Sequence, residues 1–298
     1  MKKNVLKKYF CYLLSSIILL IGFLYCLFPS DAFRDYLQST FDLKNPGYSL
    51  SIIRVSPVLP LGLKFKQADI SLKSDPGKSI FLSDRFLIKP DLWSFLQGKF
   101  RYVFDCLVYD GNLTGSIHFT EKIASGPFTT KFKIKDVNFY KDAGLSNLIG
   151  HEAKGILGGN VTYSGQNDKF INGKGEADIR ISEGRVELVN SILPFKSLDF
   201  DELSVKLVLK NQKVSLDHCE VSGGDLQGSL SGIIRLKKDL SKSILNLTGT
   251  IKPIVGSKNL KDSPDTLKFF RQYLKKGRIS FIIRGTLAKP QFKMGASR

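Results

Sequence analysis

Beyond residue 47, apolar residues recur at every second position, and this alternation constrains the fold of the 298-residue chain more than any other feature. In residues 204–210, Val205, Leu207 and Leu209 fall on one face of an extended chain. Successive side chains of a strand point to opposite faces, so the pattern predicts half-buried β-strands. Clear or noisier alternation predicts strands at residues 48–55, 61–72, 79–88, 99–109, 112–120, 128–139, 156–164, 175–182, 204–210, 213–221, 225–237, 243–252 and 278–287.

Turn residues separate several of these segments. Asp110-Gly111 lies between two alternating runs and is a hairpin signal. Asp75-Pro76-Gly77 and Gly223-Gly224 carry similar turn chemistry. The sequence therefore predicts consecutive strands joined by tight turns.

A short pattern of apolar-x-Gly-[Ser/Thr]-apolar recurs within the predicted strands. Glycine inside a strand normally weakens it. Because glycine recurs at the same position of the alternation in each strand, the pattern predicts a repeated bend, a strong twist or a close backbone approach on the apolar face. The four glycines are Gly115, Gly228, Gly249 and Gly285.

The N-terminal segment predicts a transmembrane anchor in residues 1–30. Four lysines lie in the first eight residues, and no charged residue follows from Tyr9 to Ser30. About 20 apolar residues at ~1.5 Å rise span a ~30 Å hydrocarbon core, and the lysines place the N-terminus in the cytoplasm. The residues predicted to lie in the bilayer are Tyr9, Phe10, Leu13, Leu14, Ile17, Ile18, Leu19, Leu20, Ile21, Phe23, Leu24, Leu27 and Phe28.

A cleaved signal peptide is the alternative interpretation of the same segment. Ser30-Asp31-Ala32 weakly resembles a cleavage site, although the apolar run is longer than the ~7–15 residues of a signal peptide. Both interpretations export the remainder of the chain.

Two further regions follow the anchor. Pro29-Ser30-Asp31 is a helix start signal, and apolar residues at three-to-four-residue spacing predict an amphipathic linker helix in residues 31–46. Residues 47–298 form the predicted β-rich domain, with a subdivision near residues 140–155 left open. Short helices are predicted inside it at residues 91–97, 144–151 and 264–275.

The motifs of catalysis and cofactor binding are missing from the sequence. Its three histidines form no HExxH or HxH pair, and His218 and Cys219 are adjacent, so on a strand they point to opposite faces. The acidic residues Asp199, Asp201 and Glu202 are expected to form a solvated turn rather than a calcium site. We predict no enzyme, no cofactor and no metal.

Charge and cysteine content exclude little. The formal net charge is +18, but past the N-terminus no Lys/Arg run exceeds two residues, which argues against nucleic acid as a partner. Cys106 and Cys219 are compatible with one disulfide or with two buried thiols.

The order of these features resembles the AsmA-like group, and most closely the AsmA-like branch of the type II secretion system protein N family (GspN). An N-terminal anchor leads into a short amphipathic helix and then a train of strands with recurring x-Gly-[Ser/Thr]-apolar units. The most specific parts are the segment Gly285-Thr286-Leu287-Ala288-Lys289-Pro290 and the strands of residues 225–253. The resemblance covers nearly the whole chain, although residues 57–140 match poorly in detail.

The resemblance implies a bacterial inner-membrane protein with a periplasmic body built as a curved antiparallel sheet. Relatives are associated with type II secretion or with lipid movement between membranes, so we expect a non-enzymatic secretion component, with inter-membrane lipid transport or envelope biogenesis as the alternative. Expected partners are the inner membrane, other secretion proteins and phospholipid. An apolar groove and a closed sandwich both remain open. The candidate groove residues are Leu226, Leu230, Ile234, Leu245, Leu247, Ile251, Phe281 and Ile283.

Overall fold

A computed structural model describes residues 2–121, 126–139, 153–187, 197–224, 226–254 and 277–294. Three α-helices lie in this part of the chain: α1 (Lys2–Cys26), α2 (Ser30–Lys44) and α3 (Leu92–Leu96). The predicted linker helix and the helix predicted at residues 91–97 are confirmed as α2 and α3. The helices predicted at residues 144–151 and 264–275 lie outside the described residues.

The body is mainly β, as the alternation predicts. Fourteen described strands form one antiparallel sheet in which each strand pairs with its neighbours in sequence. Their bounds are β1 (Tyr48–Pro57), β2 (Leu63–Leu72), β3 (Asp75–Pro90), β4 (Phe100–Val108), β5 (Gly111–Phe119), β6 (Pro127–Asn138), β7 (Ala153–Gln166), β8 (Lys174–Glu187), β9 (Ser197–Lys210), β10 (Lys213–Ser222), β11 (Leu226–Arg235), β12 (Ile244–Pro253), β13 (Ile279–Thr286) and β14 (Pro290–Met294).

Three details of this sheet differ from the prediction. The turn before β3 lies at residues 73–74 rather than at Asp75-Pro76-Gly77, which belongs to the strand. The acidic residues expected in a solvated turn lie in β9, where Asp199 and Glu202 pair with arginines of β8. The strand β14 was not predicted at all. It pairs with β13 across a short turn at residues 287–289, and Gly285, which pairs with Pro290 next to this turn, has a φ of 97° that suits glycine.

The register places apolar side chains from every strand on one face of the sheet. In the first half, Val55, Phe65, Phe86 and Cys106 are successive cross-strand partners. In the second half, Leu207, Leu216, Gly232, Leu247, Ile283 and Phe292 are successive partners in the same way. Directly opposed residues share a face, so the sheet has one apolar face and one polar face.

The packing clusters follow the strand order. Buried side chains group as β1–β3, β3–β7, β9–β13 and β10–β14, and none of these clusters joins the first strands to the last. Within the described part of the chain, the apolar face therefore packs against its own neighbours and against α2, and no second sheet covers it.

Helix α2 covers the free edge of β1. The amide of Gln38 donates a hydrogen bond to the Leu50 carbonyl over 3.2 Å, and the Leu50 N–H donates to the Asp42 carboxylate over 3.2 Å. Phe33 and Leu37 pack on the cluster of Ile52, Val55 and Phe65. Because an unpaired strand edge invites association with other chains, this helix protects the sheet at its first strand.

Helix α1 ends at Cys26, just before Leu27 and Phe28 of the predicted bilayer segment. The Phe28 ring lies 5.6 Å from Phe33 and packs on the body. Among the described residues, no single helix has both the length and the apolar composition to cross a membrane. The bent pair Tyr12–Cys26 and Ser30–Lys44, at 66° to each other, meets those criteria together.

Candidate functional site

The eight predicted groove residues lie together on the apolar face of β11, β12 and β13. Cross-strand pairing aligns Leu230 with Gly249 and Phe281, and aligns Ile234 with Leu245. Five of the eight are at least nine-tenths buried: Leu226, Leu245, Leu247, Ile251 and Phe281. The remaining three, Leu230, Ile234 and Ile283, are half-buried and pack against them.

These residues form one continuous patch. Leu230 and Ile283 contact both clusters of the second half, the one around Leu247 and the one around Ile251. The patch therefore runs without a break from β9 to β14. Which ligand or partner it meets stays a prediction.

The recurring glycines lie on the apolar face of the sheet, and at two of the four, Gly115 and Gly249, an aromatic ring takes the space that a side chain would fill. A Cβ on Gly249 would lie 2.3 Å from Cζ of Phe281, and one on Gly115 would lie 2.7 Å from Cζ of Phe104. Gly184, outside the pattern, has the Phe200 ring in the same place. The predicted close approach is thus made by an aromatic ring at Gly115 and Gly249, whereas at Gly228 and Gly285 the nearest atom is a backbone carbonyl oxygen.

Sequence reasoning missed the first half of the same face. The rings of Phe65, Phe86 and Phe104 follow one another across β2, β3 and β4 at centroid distances of 5.6 and 6.2 Å. A second aromatic row crosses β4 to β7 through Tyr102, Phe119, Phe128 and Tyr163 at 5.6 to 6.2 Å. The signal in the sequence was the spacing of Phe100, Tyr102 and Phe104 by two, but their partners are distant in the chain.

An apolar cavity of about 480 Å³ lies between α2 and the apolar face of the first strands. Leu37 and Phe41 of α2 line one side, and Phe65 and Phe86 line the other. Lys44 also borders the cavity from the last turn of α2. This volume falls within the ~300–1,000 Å³ typical of small-molecule sites.

The two cysteines of the body are separate thiols. Cys106 is buried on β4, Cys219 is half-buried on β10, and both are free. Burial raises the pKa of each thiol. The Ser83 hydroxyl lies 3.1 Å from the Cys106 sulfur, and it also donates to the Leu107 carbonyl. The disulfide alternative is wrong for this structure.

Charged groups gather on the polar face, where several form cross-strand pairs. Arg185 donates to both carboxylate oxygens of Asp199, which lowers the pKa of that carboxyl. His218 lies 3.5 Å from Glu220. In the described ranges no three His, Cys, Asp or Glu residues lie close enough to hold a metal ion, and His151 lies outside them.

Comparison of this chain with family models, with curated proteins and with solved structures yields no match. The expectation of a GspN-like or AsmA-like protein therefore rests on the order of its sequence features alone. The class that the fold defines is a mainly β protein with N-terminal helices and one large antiparallel sheet that is apolar on one face.

Proposed function

We propose that this chain is a non-enzymatic, membrane-anchored protein of the bacterial envelope whose body, on the periplasmic side, accommodates lipid acyl chains along its apolar face. One observation carries the proposal: all fourteen described strands direct apolar side chains to the same face, and the described residues place no second sheet on it. An apolar face of that extent must be kept from water.

The cavity under α2 supports a lipid over a protein partner on this face. It is nearly all apolar, as an acyl chain requires, and its border carries the cationic Lys44. Among the described residues Lys44 forms no ion pair with an acid. A lipid with its acyl chain in the cavity and an anionic head group near Lys44 would match both the apolar lining and the positive charge.

Several features of α1 support the anchor. The uncharged part of the helix, Tyr9–Cys26, has 18 residues, or about 27 Å at ~1.5 Å per residue, and four lysines precede it. Leu13, Ile18 and Leu19 are each about 60% exposed. A helical segment that is apolar on all sides and uncovered by protein, as α1 is past its lysines, is suited to an apolar solvent.

The role in type II secretion is the part of the proposal that depends on the resemblance. Secretion and lipid transport both place the chain in the inner membrane, and the apolar face and cavity favour a lipid-handling role. A secretion defect without a lipid phenotype in a deletion strain would favour the secretion role.

Photo-crosslinking at two adjacent residues of β11 tests the proposal. Ile234 lies on the apolar face and is half-buried, whereas Ile233 lies on the polar face and is 42% exposed. With benzoyl-phenylalanine at each position of the full chain in cells, we expect phospholipid adducts from position 234 and few from position 233. Adducts of position 234 with another part of this chain would show a protein-covered face and overturn the proposal, as would equal lipid adducts at both positions.

A further inference from the structure

At one end of the first strands, the connections between them carry exposed apolar side chains beside α1. Because successive strands are antiparallel, the β1–β2 loop and the β3–β4 connection, which contains α3, lie at the same end of the strands. Leu59 and Leu61 of the loop are 57% and 54% exposed, and Trp93 and Leu96 of α3 are 72% and 81% exposed. We call these four residues the α3 edge.

The structure holds the apolar residues of α3 in an outward position. Asp91 caps the helix by accepting hydrogen bonds from the N–H and the hydroxyl of Ser94. Phe95 packs edge-on against Phe100 and Tyr102, at 5.3 and 5.5 Å. Because Phe95 secures the helix to β4, Trp93 and Leu96 face away from the body with nothing over them.

Helix α1 lies directly beside this edge. A cavity of about 430 Å³ separates Leu24 and Tyr25 of α1 from Leu59 and Leu61 of the loop. The apolar surface of α1 therefore continues into the α3 edge. A bilayer that receives α1 has its interface close to these side chains.

Cationic side chains surround the α3 edge. Lys64, Lys89 and Lys99 follow or precede its loop and helix, and among the described residues none of the three forms an ion pair with an acid. The carboxylate of the nearby Asp91 accepts a hydrogen bond from the Ser94 hydroxyl and forms an ion pair with Arg101 at 3.8 Å. The charge next to the exposed apolar residues is therefore positive, which suits anionic lipid head groups.

We propose that the α3 edge inserts into the interface of the same anionic bilayer that holds α1 and gives the body a second contact with the membrane. This rests on the proposed anchor. Tryptophan and leucine favour the boundary between head groups and acyl chains, while lysines keep their amines in the head-group layer. A second contact fixes the orientation of the body and brings the first strands of the apolar face close to the lipid.

Trp93 is the sole tryptophan of the chain, so its fluorescence reports on this edge alone. The full chain is reconstituted into vesicles of phosphatidylcholine and phosphatidylglycerol, with and without brominated acyl chains. We expect a blue-shifted Trp93 emission that brominated lipid quenches, and stronger quenching when phosphatidylglycerol is present.

A matched control uses the Trp93→Phe/Leu43→Trp double variant. Leu43 is 84% exposed at the end of α2, by the opposite end of the first strands. Its fluorescence should be quenched less by brominated lipid than that of Trp93. Equal quenching at both positions, or none at Trp93 in protein that floats with the vesicles, would overturn the inference and leave the anchor intact. Protein that fails to float would instead refute the anchor.

Discussion

Replacing Gly184 with alanine tests whether aromatic rings fill the apolar face at its glycines. Gly184 of β8 is the direct cross-strand partner of Phe200 of β9. A Cβ there would lie 2.0 Å from Cζ and 2.1 Å from Cε2 of the Phe200 ring, and Phe200 is only 6% exposed. The ring must therefore move out of a packed position.

The magnitude follows from two opposing effects. Overpacking of a filled site costs about 1–3 kcal/mol. Replacing glycine by alanine stabilises the folded state by about 0.4–1 kcal/mol, because it lowers the conformational entropy of the unfolded chain. We expect Gly184→Ala to lower the free energy of unfolding by about 1–2 kcal/mol, measured by urea denaturation of the full chain in detergent micelles.

Gly158→Ala is the matched control in β7. The nearest atom to a Cβ at this position is the Ile134 carbonyl oxygen at 3.9 Å, so alanine fits. We expect it to be neutral or stabilising by up to about 1 kcal/mol. In the Gly184→Ala/Phe200→Leu double variant, loss of the ring should relieve the clash. The double variant should therefore be destabilised by less than the sum of the two single variants. Equal stabilities for the two alanine variants would refute the reasoning.

Three further predictions concern charge and topology. Asp199→Asn should destabilise the protein at pH 7, and the difference should shrink as the pH falls below about 3.9, measured by urea midpoints. The lowered pKa of the folded carboxyl contributes stability above the unfolded value of about 3.9, and that stability is lost as the pH falls through the folded pKa. Lys210→Glu should stabilise the protein by about 0.5–1 kcal/mol in low salt and less in 1 M NaCl, because Lys210 lies between Lys174 and Lys213 on the polar face. The control Lys206→Glu loses an ion pair with Asp178 at 3.8 Å and should not stabilise the protein. Alkaline phosphatase fused to the C-terminus should be active, and activity of a cytosolic reporter there instead would contradict the predicted orientation.

The strands were predictable because their signal is local. A segment such as residues 243–252 reveals its apolar face through its own alternation, and α2 through its own start signal and spacing. β14 was missed because five residues that begin with proline give too short a pattern. The acidic part of β9 was assigned to a turn because its partners, Arg180 and Arg185, lie in another strand and neutralise charges that would otherwise disfavour a sheet.

The candidate site was predictable only in part, for the same reason. Ile234 and Leu245 could be assigned to the apolar face of their own strands, but their pairing depends on register between segments. The ring of Phe281 over Gly249 combines a weak local signal, glycine in a strand, with a partner about 30 residues away. The α3 edge has no periodic pattern, and only the topology brings Leu61 and Trp93 to one end of the strands.

Both edges of the sheet that the described strands form are protected. Side chains of α2 bond the Leu50 backbone at the edge of β1. The edge strand β14 is five residues long, begins with Pro290 and carries Lys293, features that discourage pairing with another chain. In the described ranges, the apolar face receives no comparable cover beyond α2 at its first strands. Protected edges limit association with other chains through strand pairing, and they leave the apolar face as the surface through which the proposed lipid would bind.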